Sequence, residues 1–221
     1  MRPEEYNAWY ATPRGAWIGS NEYRLLVRLL EPRPGDTLLD VGCGTGYFTR
    51  SFAADRSCTR VSGADIDLGA LRYGSQRSAR AETYVCADAR TLPFADRSVD
   101  LVISVTALCF IKEERAALAE MLRVARRRVA LGLLNRHSLL YLEKGRGDGK
   151  DACRGAHWHT PKEAPALFTG LPVGKPRLAT AVFLPHASSL ARLVEPCLQD
   201  LGAEWGSFIA VTADTRNNSH G

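Results

Sequence analysis

Apolar positions along the chain change their spacing repeatedly, and each change marks an element. From Ser20, the pattern NEYRLLVRLL sets Leu25, Leu26, Leu29 and Leu30 on one helical face, with Ser20 as expected N-cap and Pro32 as stop. Residues 1–19 carry aromatics and glycine without a clean period, so 1–32 reads as an aromatic and helical cap. The turn PRPGD leads into TLLDVG, a short apolar run of the buried-strand kind, then into the glycine-rich CGTG and a helical YFTRSFAA. The alternation continues: RVSGAD, TYVCAD and VDLVISVT predict strands, and LGALRYGSQRSA a helix between the first two. In KEERAALAEMLRVA, Ala117, Leu118, Met121 and Leu122 fall at helical spacing before a fifth strand, RVALGLL. Two late strands, RLATAVFLP and GSFIAVTA, flank the helical HASSLARLVEPCLQDLG and suit a pair closing one sheet edge. Strands alternating with helices predict a single α/β domain of Rossmann-like, doubly wound form, with seven strands, mostly parallel, and helices on both faces. Its expected extent is 1–215, with a core over 36–135, a polar lid or substrate segment over 136–170, a closing strand pair over 177–214 and a frayed tail over 216–221.

Composition narrows the class without naming a chemistry. At 45% hydrophobic and 24% charged residues, the 221-residue chain is globular in character. No apolar run reaches the roughly 20 residues of a membrane span, and MRPEEYNAWYATPRG has no apolar core of the secretory kind, so a cytoplasmic location is expected. The six cysteines form no C-x-x-C pair and read as reduced, mostly core residues. The +5 charge permits a polyanionic partner, but no nucleic-acid motif accompanies it, and nucleic acid is not expected to be the partner. Arg126-Arg127-Arg128 reads as a solvated turn.

The chemistry begins at Asp40-Val41-Gly42-Cys43-Gly44-Thr45-Gly46, which lies between a buried strand and a helix. Glycines there let the backbone turn sharply and approach a ligand where a Cβ would collide. Asp65 ends the second strand, where a carboxylate can accept both hydroxyls of a ribose, and Asp88 ends the third, followed by Ala89, where it can accept an adenine amino hydrogen. Asp40 precedes the loop, placed to orient the glycine turn and receive a ligand ammonium. Three carboxylates around one pocket repel a pyrophosphate and suit a cationic nucleoside.

Four ordered motifs, LLDVGCGTG (38–46), GADID (63–67), ADARTLPFADRSVDLVIS (87–104) and ALAEMLRVAR (117–126), resemble the class I S-adenosylmethionine-dependent methyltransferases, in the branch similar to ubiquinone- and menaquinone-biosynthesis enzymes. The resemblance implies S-adenosylmethionine as cofactor. It places the methionine part on Asp40 and the Gly42, Cys43, Gly44 and Gly46 loop, the ribose on Asp65, and the adenine on Asp88, Ala89 and Ile66, with Ser104 lining the pocket. Relatives carry a histidine pair after the fourth strand where this chain has Cys109 and Phe110, and their proline-glycine-glycine turn is replaced by the arginine run.

The implied reaction is in-line methyl transfer to a small molecule, which position alone can accelerate by roughly 7–11 kcal/mol of barrier. No catalytic residue is assigned. Tyr10, His137, Tyr141 and His159 are the candidates, with Tyr6, Trp9 and Trp17 as further aromatic cover and Arg14 as a clamp for a carboxylate. His157 and His159 share one strand face but lack a recognisable third ligand, so no metal site is expected. An RNA or protein acceptor, a cofactor-binding protein without turnover, and a dinucleotide-dependent oxidoreductase stay open as alternatives; the chain is expected to be a monomer or homodimer.

Overall fold

The computed structural model describes residues 2–55, 58–78, 80, 82–145 and 155–216. Two helices come first, α1 (Pro3–Ala11) and α2 (Pro13–Leu30). Their junction is a helix start: the Thr12 hydroxyl accepts from the Gly15 amide at 3.0 Å, and Pro13 fills the first helical position, where a missing N–H is not needed. The expected cap, Ser20, therefore lies inside α2, and its hydroxyl donates back to the Ala16 carbonyl at 2.6 Å. α2 ends as expected just before Pro32, through Glu31 at φ 49°.

The α/β alternation follows as β1 (Thr37–Val41), α3 (Tyr47–Asp55), β2 (Arg60–Asp65), α4 (Leu68–Ser75), β3 (Thr83–Cys86), β4 (Val99–Val105), α5 (Glu114–Val124) and β5 (Ala125–Leu134). A short α6 (Glu163–Ala166), then β6 (Arg177–Ala181), α7 (Ser189–Asp200) and β7 (Phe208–Asp214) complete the chain. The seven strands lie in the order β3-β2-β1-β4-β5-β7-β6. β1 to β5 pair in parallel, while β7 runs antiparallel to both β5 and β6. Strand alternation splits the core into two layers: Leu38, Leu101 and Ile103 pack with α2 and α3 residues on one face, and Leu39, Val102 and Leu131 pack with α5 and α6 residues on the other.

Three sequence expectations need correction or restriction. The arginine run is not a solvated turn, because β5 begins at Ala125 and includes it. Arg128 is buried and donates to the Leu29 and Leu30 carbonyls at 2.9 and 2.8 Å while pairing with Asp214 at 2.5 Å. Arg127 pairs with Asp36. These arginines satisfy the carbonyls that the end of α2 leaves without helical partners. Of the five described cysteines, Cys43, Cys58 and Cys109 are buried and Cys86 and Cys197 are exposed. Residues 146–154 of the expected lid and 217–221 of the expected tail lie outside the described residues. No helix among the described residues is long and apolar enough to cross a membrane.

Candidate active site

The carboxyl ends of β1, β2, β3 and β4 meet at one cleft, as the switch point of a doubly wound sheet requires. At its floor the amides of Gly42 and Cys43 both donate to the Ala64 carbonyl, at 2.7 and 3.1 Å, tying the loop after β1 to β2. Gly42 has φ 73°, and a Cβ there would fall 2.3 Å from that of Ala107, so any larger residue would push apart the cleft wall. Gly44, at φ 53°, faces open space instead, leaving backbone at the surface of the cleft. Asp65 clasps this turn: one carboxylate oxygen accepts from the Gly44 amide at 2.7 Å and the other from the Asp67 amide at 2.8 Å. Asp40, expected from its position to orient the turn, is instead buried and accepts from the Thr49 hydroxyl at 2.7 Å. Burial pushes the Asp40 pKa up to about 7; the nearby Asp65 charge adds to the rise and the Thr49 bond opposes it.

The cleft encloses about 530 Å³, within the range of small-molecule sites. It brings together Asp40, Gly42, Cys43, Gly44, Asp65, Ile66, Asp88 and Ala89 from the expected set. Gly46 and Ser104 stand outside its lining. Gly46 backs onto the Tyr84 ring, and Ser104 is fully buried, its hydroxyl without a hydrogen-bond partner, so Val105 and Thr106 take the place expected of it. Thr106 sits at φ 51°, a left-handed conformation that a β-branched residue rarely adopts, held by its amide bond to the Gly132 carbonyl at 2.8 Å.

Several lining residues escaped the sequence reading. Tyr47 and Phe48 open α3, and Phe110 to Glu113 follow β4; their available signal was position alone, immediately after a strand's carboxyl end. Arg90 was also missed. Its guanidinium bonds Asp88 at 2.7 Å and Glu113 at 2.9 Å, bridging two sides of the cleft, and it holds the Asp88 carboxyl down at about 2, chiefly by hydrogen bonding.

The four catalytic candidates lie outside the lining. Tyr10 is buried behind Tyr6, stacked on Tyr47 with ring centres 3.7 Å apart. Tyr6 reaches the cleft in its place, its hydroxyl 3.3 Å from that of Tyr10, and burial pushes its pKa up to about 12, so it is a neutral phenol. His137 is exposed, Tyr141 packs edge-on against Trp158, and His159 is buried against Glu114. Arg14 is engaged by Glu143 at 3.0 Å, and Trp17 is buried in the core beneath α2.

Residues 39–131, which include this floor and three of its carboxylates, match the methyltransferase domain family. Over this stretch the chain is similar to the S-adenosylmethionine-dependent methyltransferases. S-adenosylmethionine is the methyl donor of that class. The chain is 39% identical over 101 residues to a malonyl-[acyl-carrier protein] O-methyltransferase of Serratia marcescens, covering 46% of this chain and 38% of the relative. It is 40% identical over 99 residues to a demethylmenaquinone methyltransferase of Corynebacterium urealyticum, covering 45% and 41%. The chain thus matches only about two fifths of the length of each of these two relatives. In fold it is similar to a Thermotoga maritima S-adenosylmethionine-dependent methyltransferase, described as a possible histamine N-methyltransferase, with TM-score 0.75 and 20% identity over 96% of this chain and 95% of that one. The cleft fits a cationic nucleoside: it pairs open glycine backbone at Gly44 with the carboxylates of Asp40, Asp65 and Asp88.

Proposed function

We propose that the protein binds S-adenosylmethionine in this cleft and transfers its methyl group to a small-molecule acceptor. The observation that carries the reading is the convergence of Asp40, Asp65 and Asp88 on a cleft floored by Gly42 and Gly44. Asp65 is assigned to the ribose, since a carboxylate offers about four acceptor sites and two are taken by the loop amides. Asp40 and the glycine backbone take the methionine end, Asp88 and Ala89 the adenine edge. Ile66 and Phe110, the two exposed large apolar side chains in the lining, offer faces for the adenine ring.

Bound S-adenosylmethionine supplies a methyl group already activated by its sulfonium charge. The chain's contribution is then placement and charge. Asp65 attracts the cationic ligand, joined by Asp40 as it ionises near neutral pH, and of the other lining residues Phe48 and Val105 are assigned to excluding water and Tyr6, Tyr47 and Lys112 to the acceptor. Tyr6 is protonated at neutral pH and serves as a hydrogen-bond donor rather than a base. Acceptors that need no strong base therefore fit best.

Calorimetric titration with S-adenosylmethionine and S-adenosylhomocysteine, on the wild type and Asp65→Ala, tests the assignment. Micromolar binding lost in the variant is expected. Absence of binding by the folded wild type overturns it, and binding without methylation of any acceptor screened favours a cofactor-binding protein.

A further inference from the structure

Three side chains outside the cleft converge at the start of α5. Glu114 receives Nδ1 of His157 at 2.8 Å on one carboxylate oxygen and Nε2 of His159 at 3.1 Å on the other. The imidazole rings lie 4.3 Å apart, centre to centre, and one ligand atom from each of the three residues falls within 4.8 Å of the others. We propose that Glu114, His157 and His159 bind a divalent transition cation of the zinc class, with a fourth position open to solvent.

The ligand chemistry selects the metal. Two imidazoles and a carboxylate form a set that suits zinc and its transition-metal neighbours, whereas magnesium and calcium take all-oxygen surroundings. The geometry is close to what such an ion needs. A tetrahedral cation about 2.0–2.1 Å from each ligand atom holds them about 3.3–3.4 Å apart, so three ligand atoms that lie within 4.8 Å of one another reach that spacing by side-chain shifts on the order of 1 Å or less each. Residues two apart on an extended segment face the same way, and the backbone fixes both histidines. The His157 amide donates to the Cys109 carbonyl at 2.8 Å and the His159 amide to the Leu134 carbonyl at 2.9 Å.

Burial is lopsided in the manner of an exchangeable site. The His159 side chain is 1% exposed and that of Glu114 12%, while that of His157 is 58% exposed. One side is closed by the fold; the other admits the ion and a water as fourth ligand. The missing third ligand of the sequence reading is thus Glu114, far from the histidines in the chain and brought to them by α5. A bound ion would clip the 156–160 segment to α5 and to the Leu108–Phe110 turn, whose Phe110 borders the cleft.

The test uses the full chain stripped with a chelator and titrated with zinc chloride. One equivalent is expected to bind and raise the thermal midpoint, with excess magnesium failing to compete. His157→Ala, at the exposed ligand, is expected to weaken zinc binding by at least the roughly 10- to 100-fold that loss of an outer partner costs. Glu114→Gln, which keeps the shape of the cluster, is expected to do the same. Cobalt loading is expected to give the visible bands of a tetrahedral ion in the wild type and not in His157→Ala. Zinc affinity unchanged in both variants, no binding by the wild type, or a thiolate-to-cobalt band placing the metal on cysteine would each overturn the proposal.

Discussion

On the inward face of α2, Glu22 is buried, and burial alone pushes its pKa up to about 8. A carboxyl raised above its unfolded value of 4.5 holds a proton that the unfolded chain releases. Stability therefore falls as pH rises from about 4.5 through about 8 and levels off above that. Asp40 acts in the same sense between 3.8 and about 7. Glu22→Gln keeps the shape and removes the first titration. Thermal melts of the variant should match the wild type near pH 5 and exceed it near pH 9, by an amount on the order of a few kcal/mol. A gain that is the same at both pH values would show that charge is not the cause. The neighbouring phenols feel the same carboxyl: its ionisation raises the pKa of Tyr6 and Tyr10, on top of the larger effect of burial.

Among the elements, the junction of α2 with β5 shows how a run of like charges becomes structural. Arg128 caps the end of α2 and ties it to β5 and β7. Its acidic partners Glu31 and Asp214 are exposed and can rehydrate when it is removed, but the Leu29 and Leu30 carbonyls lose their donor. Arg128→Met, similar in length, is expected to cost about 2–3 kcal/mol in urea unfolding; a change below about 0.5 kcal/mol, the size of an ordinary surface substitution, would return the run to a surface role. Neither this role nor α1 was legible in the sequence. Three adjacent arginines carry no periodic signal, and what buries one of them is a helix end nearly a hundred residues earlier in the chain. α1 is an aromatic helix of nine residues without an apolar stripe, started by Pro3 and held by ring packing rather than by amphipathic spacing. By contrast β1, β4 and β5 were legible because strands buried on both faces write themselves as apolar runs, while β2 and the edge strand β3, less buried, were legible from their place in the alternation with helices. The cleft was legible where a residue type announces itself, as with Asp65 beside Gly44. It was not where backbone geometry decides, as with Thr106 in place of Ser104.

For the whole molecule, the cleft joins α1, the loops after β1 to β4 and the start of α3 in one cavity, so a ligand there is coupled to global unfolding. S-adenosylhomocysteine at about 100 times its dissociation constant should stabilise the fold by about 2.7 kcal/mol. For a chain of this size that is a rise of roughly 5–11 °C in thermal midpoint, read by calorimetric scanning; Asp65→Ala should lose the rise at equal ligand concentration, and a midpoint that ignores the ligand would argue that the cleft binds something else.

The placement of β7 bears on how the chain assembles. Its residues feed both core layers, Ile209 and Val211 one and Phe208 and Ala210 the other, and it alone connects β6 to the rest of the sheet. Five parallel strands can gather as they leave the ribosome, but the outer edge of β5 stays unpaired until β7 is made, and β6 waits beside it without a sheet neighbour. A chain stalled before Phe208 carries an open strand edge flanked by apolar surface, the arrangement most prone to pair with another copy. Slowing synthesis just before Phe208 is therefore expected to raise the aggregated fraction of newly made chains, read by sedimentation after timed translation.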